Sequence, residues 1–324
     1  MDKRINAHRS GGDKEALLSN VALLYYGEGL TQGEIAKRMK VSRATIVNML
    51  RESRDVGIVD IRVEGRHLSG SNLVRNLREK YGLEDVYVAH AEAGQSLLRN
   101  DILLQLARVA STAILDVTSP GDRVGVAWGE TIMAVADALP MKPVADVEVC
   151  QLIGSMISER VPASENCTIQ IASKLGARSF TLHAPGLISN AELTARLRTE
   201  PTIKSQLDRL STLDLIVYSI GNVKAYTHLV AAGMASGAEL EAAIKAGAAG
   251  IVCCRYVDSD GEEINLPPRE RVIAAELNDL RSAKKRLLIV CGKDRQDAAL
   301  AAIRGGLVSH LCVDSALATA LLDV

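Results

Sequence analysis

From Asp85 onward, short apolar runs alternate with amphipathic stretches, and several of the runs end in glycine followed by a polar residue. The runs are "DVYVAHA", "DRVGVAWG", "VEVCQLIG", "SFTLHAPG", "LIVYSIG", "GIVCCRYVD", "RLLIVCG" and "SHLCVD", with helices expected at 97–117, 165–175 and 294–303 among the intervening segments. Unbroken apolar runs of this length suit strands covered on both faces, and strands joined through helices return to the same edge and run parallel. The fold class expected is therefore α/β with a mostly parallel sheet. In such sheets ligands bind beyond the carboxyl ends of the strands, where bare amides and helix N-termini attract anions. The turns that qualify are Gly129-Glu130-Thr131, Gly154-Ser155, Gly221-Asn222 and Gly292-Lys293-Asp294.

The first fifth of the chain has a different pattern. Residues 15–26 place Leu17, Leu18, Val21, Leu24 and Tyr25 at helical spacing, with Gly27 and Gly29 after them. Thr31 and Glu34 form a capping box that starts a helix at Gln32 and carries it to about Met39, and Ser42 caps a third helix running from Arg43 to about Arg54. Ile35, Ala36, Met39, Val41, Ile46 and Met49 are spaced to form the core between the two, while Arg43, Ala44, Thr45, Asn48 and Arg51 lie mostly on the free side of the third. This is the pattern of a helix-turn-helix, whose second helix enters the DNA major groove. Lys40 stands at the turn position where a positive φ is wanted, a placement that costs a non-glycine residue about 1 kcal/mol. The alternation in "IVDIRVEG", residues 58–65, suggests a strand or short wing.

Charge supports that assignment. The formal net charge is −1, yet residues 1–66 hold twelve Lys/Arg against nine Asp/Glu, leaving 26 against 30 in the remainder. A polyanion fits the positive end. The candidate DNA-contacting residues are Thr31, Gln32, Lys37, Ser42, Arg43, Ala44, Thr45, Asn48 and Arg51. The domains expected are 1–66 for DNA, 67–84 as a linker helix whose row Leu73, Leu77 and Tyr81 packs against its own kind or against the next domain, and 85–324 for effector binding and oligomerisation. The charged N-terminus and the lack of an eighteen-residue apolar run argue against secretion and membrane insertion, so a cytoplasmic location is expected. Six cysteines without CxxC spacing read as reduced core thiols, and neither a metal site nor a cofactor is signalled.

Within the larger region, "GVAWGET" joins a strand to a helix through Gly125, Trp128, Gly129, Glu130 and Thr131. "CGKDRQDAALAAIRGG" opens another helix with Lys293 and Arg295, cations whose placement opposes the helix dipole and so calls for an anion. Asn166 and Gln170 lie one turn apart on a polar helix face and can read sugar hydroxyls. With Gly154, Ser155, Gly221 and Gly292 these residues make up the candidate effector site.

The stretches "LYYGEGLTQGEIAKRMKVSRATI", "VGVAWGETI", "NCTIQIASKLGARSFTLHAPGL", "DLIVYSIG", "VDSDGEEI" and "AAIRGGLVSHLCVDSALATALL" resemble, in this order, the SorC family of bacterial sugar-responsive transcriptional regulators. The resemblance runs from about Leu17 to Leu322. It implies an effector domain similar to sugar-phosphate isomerases and glucosamine-6-phosphate deaminases, used for sensing a sugar, usually phosphorylated, within a homotetramer that grips operator DNA. The family's anion-binding turn falls on Gly129, Glu130 and Thr131, its cationic helix start on Lys293 and Arg295, and its polar helix on Asn166. Two positions depart from the family pattern: Gly250-Ile251 stands where many members have Gly-Asp, and Cys291-Gly292 replaces a glycine pair. A sugar, a sugar phosphate and a polyol all stay open as effectors.

The competing class is an isomerase or deaminase with an added DNA-binding domain. Such an enzyme needs a carboxylate or histidine base beside the substrate carbons. The six histidines form no motif, and Glu130, Asp258 and Asp260 are not paired by spacing with a nucleophile or metal ligand. The regulator is the expected function, with operator DNA, a small sugar-type effector and further copies of the chain as partners.

Overall fold

The computed structural model of the chain describes residues 5–59, 72–90, 99–156, 163–223, 230 and 235–324. Two compact units are present, Met1–Glu64 and Gly65–Val324.

In the N-terminal unit, α1 (Ile5–Ala22) passes through a wide π turn at Leu23–Gly27, and α2 (Gln32–Met39) and α3 (Arg43–Asp55) follow. Val21, Leu24, Ile35, Ala36, Ile46 and Leu50 form a closed core, flanked by Tyr25, Leu30, Met39 and Met49. The Ser53 hydroxyl, fully buried, bonds to the Met49 and Leu18 carbonyls and ties α3 to α1. Val41, read from the sequence as a core position, is instead 37% exposed. It directly follows the left-handed residue of the turn, and Leu18, Val21 and Leu24 of the first helical segment fill the core together with α2 and α3. Most of the expected 58–65 strand lies outside the described residues.

Among the described residues of the larger unit α4 (Asn72–Tyr81) comes first, and a seven-stranded, wholly parallel sheet follows in the order β1-β10-β9-β5-β2-β3-β4. Its strands are β1 (Asp85–Ala89), β2 (Arg123–Val126), β3 (Glu148–Gln151), β4 (Arg178–Phe180), β5 (Leu215–Tyr218), β9 (Lys285–Val290) and β10 (His310–Asp314). Side chains alternate between the two faces. Leu215, Val217, Leu287 and Ile289 join α5 (Arg99–Val117), α6 (Glu130–Ala138) and α7 (Ser164–Leu175) in one apolar cluster. Ile216, Tyr218, Leu288 and Val290 join a second cluster with α4 and the later helices on the opposite face. Period-two burial on both sides is what makes these strands read as unbroken apolar runs.

Further helices among the described residues are α8 (Ala191–Thr199), α9 (Pro201–Leu210), α10 (Gly237–Lys245), α11 (Leu277–Ser282), α12 (Gln296–Arg304) and α13 (Ser315–Leu322). A small antiparallel sheet of β6 (Gly221–Asn222), β7 (Gly250–Val252) and β8 (Arg255–Val257) completes the unit.

Two strand expectations change here. "GIVCCRYVD" is not one strand: the chain reverses at Cys253 and Cys254, whose φ angles are 47° and 63°, to form the β7–β8 hairpin. Two-residue turns of this handedness usually carry Asn-Gly, so a buried Cys-Cys pair gives no turn signal in the sequence. "SFTLHAPG" contributes only its first residues to β4, after which the chain leaves the sheet. Of the two packings open to the row Leu73, Leu77, Tyr81, the structure shows the one against the following domain: Leu77 is fully buried and Leu73 and Tyr81 pack on the same internal cluster.

Paired charges close the amino-terminal edge of the sheet. Glu148 accepts from Arg123 at 3.0 Å, Arg178 at 2.6 Å and Arg209 at 3.2 Å, while Lys285 meets Asp122 at 2.6 Å and Lys284 meets Asp214 at 2.9 Å. A second network is buried in β8. Arg255, 2% exposed, holds Glu263 and Glu276 at 2.8 Å each and the Ala275 carbonyl at 3.0 Å. Loss of Arg255 leaves Glu263 with Arg269 at 3.3 Å and Glu276 with Arg198 at 2.6 Å, so the cost is that of its own buried charged hydrogen bonds, about 2 to 4 kcal/mol in all. Arg255→Met should lower the urea-derived unfolding free energy of the chain by that amount, whereas Arg178→Met, which removes an exposed arm of the Glu148 cluster, should change it by less than about 1 kcal/mol.

Candidate functional site

Two surfaces carry the residues singled out by sequence, one in each unit.

In the N-terminal unit the Thr31 hydroxyl accepts from the Glu34 amide at 3.3 Å while the Glu34 carboxylate takes the Thr31 amide at 2.8 Å. The Thr31 hydroxyl, which donates to the Glu34 carboxylate at 2.7 Å, and then the Thr31 amide hold the Glu34 carboxyl below its ordinary range. Ser42 caps α3 through the Thr45 amide at 3.0 Å, and the two hydroxyls meet at 2.8 Å. The caps fix where each helix starts, and that sets which side chains face outward. Lys37, Arg43, Ala44, Asn48 and Arg51 are exposed and Gln32 and Thr45 are half-buried. Arg43 Nε donates to Gln32 Oε1 at 3.3 Å, so the first turns of α2 and α3 are linked by a contact that leaves their polar groups at the surface. Lys40 takes φ 56° and ψ 40° in the intervening turn, the conformation expected for that position.

In the larger unit the parallel sheet brings β9, β5, β2 and β3 side by side, so their four glycine-bearing turns emerge along one edge. The strand order reverses between β2 and β5. From β2 the chain moves outward to β3 and β4, then returns to β5 and continues through β9 to β10. Such a reversal leaves a crevice at the strand ends. Gly129 at the end of the β2 turn has φ 135°, a value side chains avoid, and begins α6 with no side-chain cap. The first amides of α6 therefore have neither an intrahelical partner nor a cap. Thr131 is buried, Glu130 exposed, and Trp128 half-buried where it packs against both apolar clusters.

Beside β5, the β9 turn supplies positive charge. Arg295 is 8% exposed and donates to the Cys291 carbonyl at 2.5 Å, with Asp294 at 3.9 Å. Asp294 also lies 3.7 Å from Arg99 at the start of α5 and accepts from the Asn222 amide nitrogen at 2.7 Å. Burial, and then the Arg99 guanidinium, pull Arg295 below the ordinary arginine range, with Asp294 and Glu130 among the groups opposing them. A desolvated cation beside a second cation favours an incoming anion. Lys293 is exposed.

Not every candidate reaches this edge. Gly125 lies inside β2 against Leu152 and Leu213. Gly154 and Ser155 have no free amides, since these donate to the Ile273 carbonyl at 2.9 Å and the Ala184 carbonyl at 2.7 Å. A Cβ at Gly154 would lie 2.4 Å from the Ala184 carbonyl oxygen, so glycine is needed there for close backbone packing. Asn166 is exposed in the first turn of α7, but Gln170 donates to Asp137 at 2.7 Å, near the opposite end of α6 from Gly129 and about 12 Å along its axis. The polar residue that organises this corner is Ser164, which the sequence reading passed over. Its buried hydroxyl bonds to Gly154 O, the Met156 amide and Gln151. Arg99 was also missed, although it is a cation opening a helix, the same signal that marked Lys293 and Arg295. All six cysteines are buried free thiols, and burial pushes Cys291 up to about 11 and Cys167 up to about 12, too high to be reactive.

Residues 68–323 match the family described as "Putative sugar-binding domain". The chain is also 32% identical over 302 residues to the "Uncharacterized transcriptional regulator YjhU" of Escherichia coli strain K12, covering 92% of each. The chain belongs to the sugar-binding family of SorC-type transcriptional regulators. Another family relative, the "Deoxyribonucleoside regulator" of Bacillus subtilis strain 168, is 28% identical over 312 residues, covering 96% of this chain and 98% of that protein. The full-length sorbitol operon regulator SorC from Klebsiella pneumoniae shares the fold with a TM-score of 0.77 at 24% identity, covering 95% of this chain and 98% of that one.

The left-handed Lys40 generates a test within the regulator's N-terminal unit. Lys40→Gly should raise that unit's stability by about 0.5 to 1 kcal/mol in thermal unfolding followed by circular dichroism. A decrease would mean that the Lys40 side chain makes a compensating contact.

Proposed function

We propose that this chain is a cytoplasmic regulator, residues 1–66 of which bind operator DNA and residues 85–324 of which bind a sugar, sugar phosphate or polyol, with 67–84 connecting them. The observation that carries the reading is the edge where the order of β5 and β2 reverses: the uncapped amides of Glu130 and Thr131 follow β2, and the buried Arg295 follows β9, two strands away. Helix-start amides take an anion or a hydroxyl oxygen, Arg295 and Lys293 supply the countercharge, and Arg99 adds a third cation. Asn222, Asp294 and Asn166 supply the polar groups that read hydroxyls. Gly154 and Ser155 act here as the scaffold of the β3 corner.

On the DNA side, Arg43, Thr45 and Asn48 read bases from α3, because Arg pairs bidentately with guanine and Asn with adenine. Lys37 and Arg51 contact phosphates, and Thr31, Gln32, Ser42 and Ala44 place the helices against the backbone. One helix-turn-helix reads only a few base pairs, so the protein acts as a homo-oligomer, a dimer or tetramer, on a site with repeated half-sites. A non-enzymatic role is supported by the relatives named as regulators and by Asp258, whose carboxylate accepts the Asp260 and Glu262 amides within its own turn.

A panel of sugars, polyols and their phosphates tests the site. A ligand present at 100 times its dissociation constant should add about 2.7 kcal/mol of apparent stability. The same ligand should change Trp128 emission saturably, and Thr131→Ala should abolish both effects while leaving the unliganded melting transition in place. A ligand that stabilises the protein and its Thr131→Ala variant equally would move the site away from the β2 turn.

A further inference from the structure

The β9 turn and helix α4 are the two ends of one mechanical unit, and α13 lies between them. Asp314, at the end of β10, is 3% exposed, and its carboxylate serves both α13 and the β9 turn. Oδ1 caps α13 by accepting from the Ala316 amide at 3.1 Å and the Leu317 amide at 3.0 Å, and Oδ2 accepts from the Gly292 amide at 2.6 Å. Gly292 therefore cannot shift without pulling on the cap of α13. A second tie comes from Gln296 at the start of α12, whose side-chain amide donates to the Ala320 carbonyl at 2.9 Å.

The other end of α13 is held by α4. Lys80 Nζ donates to the carbonyls of Leu322 at 2.9 Å and Leu321 at 3.4 Å, and the Tyr81 hydroxyl donates to the Leu321 carbonyl. An anion at the N-terminus and a cation at the C-terminus both complement the dipole of α13. Leu317, Ala318 and Leu321 bury its flank in the same cluster as Val74 and Leu77 of α4. The eight-residue helix spans about 12 Å between the two grips. With one flank buried and both ends pinned, so short a helix is built to shift as a body and not to bend, since packed elements switch between discrete arrangements.

We infer that α13 is the relay between the effector turn and α4, the helix from which the chain runs back through residues 60–71 to α3. Asp314 and Lys80 are its positioning residues. The inference rests on the proposed placement of the effector beside Gly292–Arg295, but the relay itself exists without a ligand and is tested without one.

Hydrogen–deuterium exchange of the full chain, with no ligand or DNA added, reads the coupling directly. Lys80→Met keeps the aliphatic stem and removes the ammonium. It should speed exchange in α4 and α13 and also in residues 292–296, by about fivefold or more, with β2 and β3 unchanged. Asp314→Asn should show the reciprocal pattern, speeding exchange in 73–81. If that variant does not fold, Gln296→Met perturbs the same end more mildly and is read in the same way. Changes confined to the segment that carries each substitution would overturn the relay, and so would an equal rise in β2 and β3, which marks general loss of stability. Failure here leaves the effector-site reading intact, and failure of the ligand panel leaves the relay intact.

Discussion

Parallel pairing of β9, β5, β2 and β3 is the constraint from which the larger unit's chemistry follows. Four neighbouring strands pointing the same way give the sheet two unlike edges. At the amino-terminal edge Arg123, Arg178 and Arg209 surround Glu148, and Lys284 and Lys285 meet Asp214 and Asp122, so charge there is spent on neighbours. At the carboxyl edge the start of α6 after β2 lacks a side-chain cap, and Arg99 and Arg295 share the carboxylate of Asp294. The first edge is built for stability and the second leaves unspent polar capacity. Unspent capacity is what a ligand site needs.

The N-terminal unit solves a different problem. Its core is small, so helix boundaries are set by caps as much as by burial. Thr31 and Ser42 each satisfy an amide that would otherwise be bare, and the left-handed Lys40 turns the chain sharply enough for Ile35, Ala36 and Ile46 to meet. With those apolar groups turned inward, Arg43, Asn48 and Arg51 are left on the outside. The same stripe that buries the core thus creates the polar face available to DNA.

Much of this was legible in the sequence because it depends on local pattern. The start of α2 at Gln32 and of α3 at Arg43 follow from caps three residues long, and β2, β5, β9 and β10 follow from apolar runs. What was not legible depends on residues distant in sequence. The β7–β8 reversal at Cys253-Cys254 carries no turn residue and is enforced by packing. Gly154 looked like an anion-binding glycine, yet it is required by the Ala184 carbonyl thirty positions away. Gln170 shares a helix with Asn166, but its amide is claimed by Asp137 of α6, a contact no spacing rule reveals. Glycine at a strand end therefore has two meanings, an open cradle at Gly129 and a tight crossing at Gly154, and only the fold separates them.

The central claim is that occupancy of the β2–β5 crevice governs DNA affinity. The direct measurement is fluorescence anisotropy of the full chain on a duplex selected from a random library, with and without a small molecule that raises its melting temperature. The account predicts that the molecule changes duplex affinity by about 5- to 150-fold, and that DNA changes affinity for the molecule by the same factor. A molecule that binds and stabilises the chain but leaves duplex affinity unchanged would contradict it.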